Sequence, residues 1–149
     1  MNTSNAMEIL VIEDNPQDLE LTLRALRKAN VTNQIQVARD GAEALDYVFC
    51  QGPYTHRRIE DIPKVVLLDL KLPKIDGLDV LKKIKQDPRT KSIPVVVLTT
   101  SRSEQDVLRS YELQANCYIT KPVDLEQFIT VVRSIEDFWF TIVRLPHAG

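Results

Sequence analysis

Six polar side chains that could do chemistry together each lie at or just after the end of an apolar stretch. They are Glu13, Asp14, Asp69, Thr99, Thr100 and Lys121. A carboxylate is costly to bury unless it is paired or bound to a metal, so Asp69, which directly follows four apolar residues, is expected at the mouth of a pocket. Three carboxylates in one pocket repel each other, and a hard divalent cation such as Mg²⁺ removes that repulsion. The residue types therefore predict an oxygen-rich metal site.

The same set of residues suits phosphoryl transfer, in which catalysis consists mostly of positioning and charge neutralisation. Asp69 is the candidate nucleophile, because a central strand would direct it at both the metal and Lys121. Each group also has a plainer explanation. The acid pair could be a polar strand end with a helix cap, and the two threonines could be ordinary β-branched strand residues.

The elements that must position these side chains alternate between strand and helix. Five apolar runs predict strands over residues 8–12, 35–38, 65–69, 94–100 and 117–120. Asn15 as N-cap and Pro16 at the first helical position predict the start of the first helix. The segment Arg39-Asp40-Gly41 is predicted to turn into the second helix, and apolar stripes predict three more over 76–87, 103–113 and 124–143. Residues 51–63 are predicted to form a polar, irregular and unusually long connection.

Strands that are apolar throughout and alternate with helices predict a doubly wound α/β fold, a parallel sheet with helices on both faces. Ligands of such sheets bind beyond the carboxyl ends of the strands, where all six polar side chains are expected. The sequence has no repeat and no internal linker, so residues 1–149 are predicted to form one domain with its core over about 8–143.

Other polar and thiol side chains are predicted to be structural or solvated. Two cysteines without a CxxC partner are expected to be buried thiols: Cys50 and Cys117. Three lysines of the third helix are expected to face solvent: Lys82, Lys83 and Lys85. A short basic cluster in the long connection is expected to be a solvated face: His56, Arg57 and Arg58.

Composition excludes several classes of protein. A formal net charge of -2 gives no electrostatic reason to expect nucleic acid binding. The first residues lack the apolar core of a signal peptide, and no apolar run approaches the roughly 18 residues of a membrane span. With only two cysteines, the chain suits a reduced compartment. A cytoplasmic protein without a membrane or nucleic acid partner is expected.

From Glu8 to about Val143, the chain resembles the receiver domains of two-component response regulators. The resemblance rests on motifs that occur in order at the predicted strand ends: Glu13-Asp14, Asp69, Leu72-Pro73, Asp76-Gly77, Thr99, Tyr118 and Lys121-Pro122. It implies a flavodoxin-like fold with five parallel strands in the order 2-1-3-4-5, flanked by five helices.

By this resemblance, Asp69 is the phosphoacceptor. Mg²⁺ would be bound by Asp14, Asp69 and the backbone carbonyl of Lys71, with Glu13 acting mainly through a metal-bound water. Lys121 would contact the phosphoryl group. The resemblance also implies two switch residues: Thr99 and Tyr118. For Tyr118, a packed strand aromatic is an equally good interpretation.

The function implied is that of a single-domain response regulator, which accepts a phosphoryl group from a histidine kinase and switches a protein-interaction surface. No output region is expected after the last helix, and no independent enzymatic turnover is expected. The alternatives are a phosphorelay intermediate, a Mg²⁺-dependent aspartyl phosphatase and a module that binds partners without phosphorylation. A phosphatase of the dehalogenase type would need a second acid where Lys71 stands. The intact set of Asp14, Asp69, Thr99 and Lys121 argues against the module that binds partners without phosphorylation.

Two regions narrow the resemblance to small regulators paired with bacterial and cyanobacterial phytochromes. They are the connection 51–63 and the segment 138–146. The last predicted helix is apolar over nearly twice the arc that packing on one sheet face requires. The excess gathers in three aromatics: Phe138, Trp139 and Phe140. A homodimer through this helix is expected, with a tail folded over the domain's own core as the alternative.

Overall fold

The computed structural model describes residues 9–28, 34–59, 61, 63, 65–99, 109, 112, 113, 115, 117–120, 126 and 130. The strands are β1 Ile9–Ile12, β2 Ile35–Ala38, β3 Val65–Leu68, β4 Val95–Thr99 and β5 Cys117–Thr120. The α-helices with described bounds are α1 Pro16–Lys28, α2 Gly41–Val48 and α3 Gly77–Gln86, and a 3-10 helix spans Gly52–Tyr54. Residues 109, 112, 126 and 130 are helical and fall within the ranges predicted for the fourth and fifth helices.

The five strands form one parallel sheet in the order β2-β1-β3-β4-β5. The predicted doubly wound fold and its strand order are therefore confirmed. β1 and β3 are neighbours near the middle of the sheet, with Ile12 paired to Leu68 at their carboxyl ends. Because these two strands are in register, the residues that follow them leave the sheet side by side.

Alternate residues of the strands belong to two separate apolar layers, one on each face of the sheet. One layer joins β1, β3 and β4 to the buried sides of α2 and α3. The other joins the opposite faces of the same strands to Leu19 and Leu26 of α1. Helices thus cover both faces, which explains why the central strands are apolar at every position.

The first helix begins at its predicted cap, and the second begins at a cap of the same kind that was not predicted. The Asn15 side-chain oxygen accepts hydrogen bonds from the backbone amides of Gln17 and Asp18, at 2.9 and 3.0 Å, and Pro16 opens α1. Asp40 caps α2 in the same way, since its Oδ1 accepts from the amide of Glu43 at 2.7 Å. These bonds satisfy amides that the first turn of a helix leaves without partners.

The prediction that three lysines of α3 face solvent was wrong for one of them. Lys82 and Lys83 are exposed, but Lys85 is only 8% exposed. Its Nζ donates to the backbone carbonyls of Ile93 at 2.5 Å and Lys91 at 3.2 Å, in the turn that leads to β4. Burial lowers the pKa of this ammonium group from 10.5 to about 8, because removal from water disfavours the charged form.

The connection after α2 is more ordered than predicted. The Arg57 guanidinium lies 3.7 Å from the centroid of the Tyr47 ring and donates to the backbone carbonyls of Tyr47 and Asp61. Arg57 is therefore a packed residue of this segment, whereas its neighbours His56 and Arg58 are exposed as expected.

The prediction of a buried thiol was wrong for Cys50, which is half-buried. It has a φ of 58°, and its sulfur lies 3.6 Å from Nη1 of Arg57. The side chain of Cys117 lies outside the described part of the chain. None of the helices described is long and apolar enough to cross a membrane.

Candidate functional site

Two acids leave the sheet as direct continuations of its central strands. The amide of Asp69 donates to the carbonyl of Ile12 at 3.0 Å, and the amide of Glu13 donates to the carbonyl of Ala38 at 3.0 Å. The backbone of the first residue beyond each strand is therefore held by the same ladder that holds the strand. This fixes where the two side chains start.

Three carboxylates meet at this edge of the sheet, and we call them the acid cluster: Glu13, Asp14 and Asp69. One oxygen from each lies within 4.8 Å of the others. Glu13 is 3% exposed and Asp69 is 7% exposed, whereas Asp14 is exposed to solvent. The cluster offers hard oxygen donors with an open side for water, and this donor set fits a small divalent cation.

Backbone amides orient two of the three carboxylates. The amide of Asn15 donates to Oε2 of Glu13, and the amide of Lys71 donates to Oδ1 of Asp69, both at 3.3 Å. The first of these amides lies at the start of α1, where the helix dipole favours negative charge. Lys71 is exposed, and its amide contacts the acid cluster through Asp69; the metal-binding role of its carbonyl stays a prediction.

A glycine closes the base of the β3–α3 loop, by which we mean residues 69–76. The amide of Gly77 donates to the carbonyl of Leu70 at 2.8 Å. A Cβ atom at Gly77 would lie 2.5 Å from the carbonyl oxygen of Asp69 and 2.7 Å from that of Leu70. Any side chain here would push the loop away from α3, so Gly77 supports the position of Asp69. The sequence alone does not indicate this role for Gly77.

The outer part of the same loop contacts the start of α2. Nζ of Lys74 lies 3.5 Å from Oδ2 of Asp40, and the amide of Gly41 donates to the carbonyl of Pro73 at 3.2 Å. In the sequence, Asp40 and Gly41 indicate only the turn into a helix. Their contact with the loop depends on the strand order, in which only β1 separates β2 from β3.

The structure brings together some of the predicted site residues: Glu13, Asp14, Asp69 and the backbone of Lys71. Thr99 is the last residue of β4 and its backbone pairs with Thr120, while Tyr118 pairs with Val97. The side chains of Thr99 and Tyr118 lie outside the described part of the chain. So do five predicted residues in their entirety: Thr100, Lys121, Phe138, Trp139 and Phe140.

A family model described as "Response regulator receiver domain" matches residues 9–133. The chain belongs to the receiver-domain family of response regulators. This match agrees with the parallel sheet and its strand order, and it confirms the resemblance drawn from the sequence motifs.

Relatives of similar length place the chain near phytochrome response regulators. It is 44% identical to Response regulator Rcp1 of Synechocystis sp., over 94% of this chain and 93% of that protein. The solved structure of the Mn²⁺-bound form of Rcp1 superposes with a TM-score of 0.76, covering 89% of this chain and 94% of that one. The bacteriophytochrome response regulator AtBRR is 52% identical, with a TM-score of 0.77 over 89% of this chain and 94% of that one. The phosphorylated cyanobacterial phytochrome response regulator RcpA is 44% identical, with a TM-score of 0.77 over 92% of this chain and 96% of that one.

Proposed function

We propose that this receiver domain is a response regulator in which Asp69 accepts a phosphoryl group from a histidine kinase, with Mg²⁺ bound at the acid cluster. The observation that carries the proposal is the meeting of three carboxylates within 4.8 Å at the carboxyl edge of a parallel sheet. Two relatives support it, since Rcp1 has been solved with Mn²⁺ bound and RcpA in a phosphorylated form.

Asp69 is the proposed nucleophile because of its place in the sheet. It follows β3, which lies between β1 with its two acids and β4 with its terminal Thr99. In the transfer, an oxygen of Asp69 forms a bond to phosphorus while the bond from phosphorus to the kinase histidine nitrogen breaks. The imidazole keeps the electron pair, so no further reactant is needed. The result is an acyl phosphate on Asp69.

The chain offers a fitting set of ligands for the metal. Asp14, Asp69 and the backbone carbonyl of Lys71 would hold Mg²⁺ directly, and Glu13 would act through a bound water. When bound, the ion offsets the negative charge of the carboxylates and of the incoming phosphoryl group. The protein holds Asp69 in place through the ladder bond to Ile12 and the amide of Lys71.

The remaining parts of the proposal rest on the family resemblance, on the named relatives and on the sequence of the last helix. Lys121 would contact the phosphoryl oxygens, and Thr99 and Tyr118 would respond to phosphorylation. The kinase is proposed to be of the phytochrome type, because the named relatives are phytochrome response regulators. A cytoplasmic location and a homodimer through the last helix also belong to the proposal.

Incubation with acetyl phosphate tests the acceptor directly. Intact-mass spectra are expected to show one phosphoryl adduct that requires Mg²⁺ and is lost in Asp69→Asn. The matched control is Asp79→Asn, which changes an exposed aspartate in the first turn of α3 and should keep the adduct. An adduct that persists in Asp69→Asn would refute the assignment. Repeated hydrolysis of p-nitrophenyl phosphate that depends on Asp69 would indicate an aspartyl phosphatase instead.

A further inference from the structure

The turn that begins α2 makes three contacts with the β3–α3 loop, which carries the proposed acceptor at its start. Oδ2 of Asp40 lies 3.5 Å from Nζ of Lys74. The amide of Gly41 donates to the carbonyl of Pro73 at 3.2 Å. The two segments also lie close together at Gly41, where a Cβ atom would meet the backbone of Ile75. These contacts join a residue pair after β2 to the loop after β3.

Gly41 is at this position because nothing larger fits. A Cβ atom there would overlap the carbonyl oxygen of Ile75 and would lie 2.8 Å from its Cβ and 2.9 Å from its carbonyl carbon. The obstructing oxygen and carbonyl carbon belong to the backbone, so they cannot turn away as a flexible side chain could. A side chain at position 41 would have to displace the β3–α3 loop or the start of α2.

Asp40 uses its two oxygens for two different partners. Oδ1 accepts from the amide of Glu43 at 2.7 Å and caps α2, while Oδ2 faces Lys74. The cap already fixes the Asp40 side chain, which is 19% exposed, so little conformational freedom is lost in pairing with the lysine. Lys74 contributes the mobile half of the pair, with a side chain that is 67% exposed.

The backbone of Lys74 shows that the loop needs external support. Its φ of 70° lies in the left-handed region, which is unfavourable for any residue with a side chain other than asparagine or aspartate. Such conformations persist where surrounding contacts hold them. Here the carbonyl of the adjacent Pro73 accepts a hydrogen bond from Gly41, and the lysine itself forms an ion pair with Asp40.

The inner end of the same loop reaches the acid cluster. The amide of Lys71 donates to Oδ1 of Asp69 at 3.3 Å, and its carbonyl is the proposed third metal ligand. Only two residues separate Lys71 from Lys74. A shift of the outer loop is therefore transmitted over a short stretch of backbone to the groups that face Asp69.

We propose that Asp40 and Gly41 are positioning residues for the acceptor site, because they hold the β3–α3 loop so that the backbone of Lys71 stays directed at Asp69. The effect on metal binding and on the phosphoryl group rests on the proposed function. The effect on the loop itself does not rest on it and is measurable without metal or phosphate.

The test uses Asp40→Asn, since asparagine caps a helix as well as aspartate does but has no charge with which to pair Lys74. In the metal-free protein, the amides of Lys71 and Ile75 are expected to exchange with deuterium faster than in the wild type. The dissociation constant for Mg²⁺ is expected to rise by up to about fivefold, the range that an exposed ion pair supplies. The effect should fade in 1 M salt, where charges are screened beyond about 3 Å.

Matched variants separate positioning from general stability. Lys74→Gln should reproduce Asp40→Asn, and the double variant should be no worse than either, because both remove the same pair. Lys82→Gln removes an equal charge from the exposed face of α3 and should change neither exchange nor Mg²⁺ affinity. Gly41→Ala should weaken Mg²⁺ binding by about tenfold or more, the scale seen when groups that orient metal ligands are lost.

The outcomes distinguish this inference from the proposed function. Unchanged exchange and unchanged Mg²⁺ affinity in both Asp40→Asn and Lys74→Gln would overturn the positioning role, even if Asp69 is phosphorylated. A lower thermal midpoint with unchanged Mg²⁺ affinity in the folded Asp40→Asn variant would show that the ion pair with Lys74 only stabilises the fold, and it would also overturn the positioning role. Faster loop exchange with weaker Mg²⁺ binding supports it, even if the wild type takes no phosphate and the proposed function fails.

Discussion

Lys85 is expected to make the stability of this domain rise with pH in the alkaline range. Its pKa falls from 10.5 in the ordinary case to about 8 in the folded protein, because the group is buried. One pKa unit corresponds to about 1.4 kcal/mol, which sets an upper limit of about 3.4 kcal/mol on the effect. The hydrogen bond from Nζ to Lys91 is only partly buried, and solvent screening reduces the gain. We expect about 1 to 2 kcal/mol.

The direction follows from proton binding. Below pH 8 the lysine carries its proton in both states, and the folded state bears the full cost of the buried charge. Between about pH 8 and 10.5 the unfolded chain holds more protons at this site than the folded one, so the free energy of unfolding increases with pH. The contribution of Lys85 to stability is therefore least favourable near neutral pH and improves until pH reaches about 10.5.

Urea denaturation of the wild type and of Lys85→Met measures this effect. Methionine keeps a long unbranched side chain but has no charge to titrate, and subtracting the two unfolding free energies cancels the titration of tyrosines and cysteines. Between pH 8 and 10.5, the free energy of unfolding of the wild type is expected to increase by about 1 to 2 kcal/mol relative to that of the variant. Lys83→Met, at an exposed position of the same helix, should show no such gain. A difference between wild type and Lys85→Met that stays constant across this range would refute the lowered pKa.

Three further perturbations test other parts of the molecule. Asp14→Asn should raise the free energy of unfolding by about 1 kcal/mol without divalent metal, since like charges within 4.8 Å of one another repel by roughly that amount in water; millimolar Mg²⁺ should remove this advantage. Arg57→Ala should destabilise the domain by about 1 to 2 kcal/mol in urea titrations, because the stacking on Tyr47 and the carbonyl contacts are lost; a change within error would contradict that packing. Thr90→Val should cost about 1 to 2 kcal/mol, because the fully buried hydroxyl donates to the carbonyl of Ile84 at 2.6 Å; an unchanged denaturation midpoint would show that this bond is not needed.

The positions of the strands and of the first helix start could be predicted because local signals dominate there. Continuous apolar runs are typical of strands buried on both faces, and the bounds of β2 and β5 agree with the prediction. Asn15 followed by Pro16 predicted the start of α1, and the asparagine cap is observed. The predicted strand ends also place Glu13 and Asp69 at one edge of the sheet, where the structure has them.

The burial of Lys85 was missed although its spacing indicated it. Leu81 lies four residues earlier, so the two share one face of α3, and both are buried. The residue type favours an exposed position for Lys85, because lysine is charged, whereas its helical spacing from Leu81 favours burial. The carbonyls of Lys91 and Ile93, which make the burial tolerable, lie in a turn whose course cannot be derived from the helix alone.

The contact between Asp40 and Lys74 could not be predicted for a different reason. The two residues belong to different strand–helix units, and no local pattern links them. Their approach depends on β1 lying between β2 and β3 and on the left-handed backbone of Lys74. Neither is encoded in spacing, since lysine is not a residue type that indicates a positive φ.

The acids of the site also help to specify the register of the sheet. In a sheet with one solvated face, a slip of one residue exposes the apolar side of a strand, and the slip is opposed. Here both faces of β1 and β3 are apolar, so alternation alone does not distinguish one register from the next. A slip that drew Asp69 inward would place its carboxylate where Leu68 now lies fully buried, at a cost of several kcal/mol for an unpaired charge. A slip the other way would carry Leu70, which is also buried, toward the polar edge. The carboxylate that we propose as the phosphoacceptor thus marks the end of β3 in the folding of the domain, and Glu13 does the same for β1.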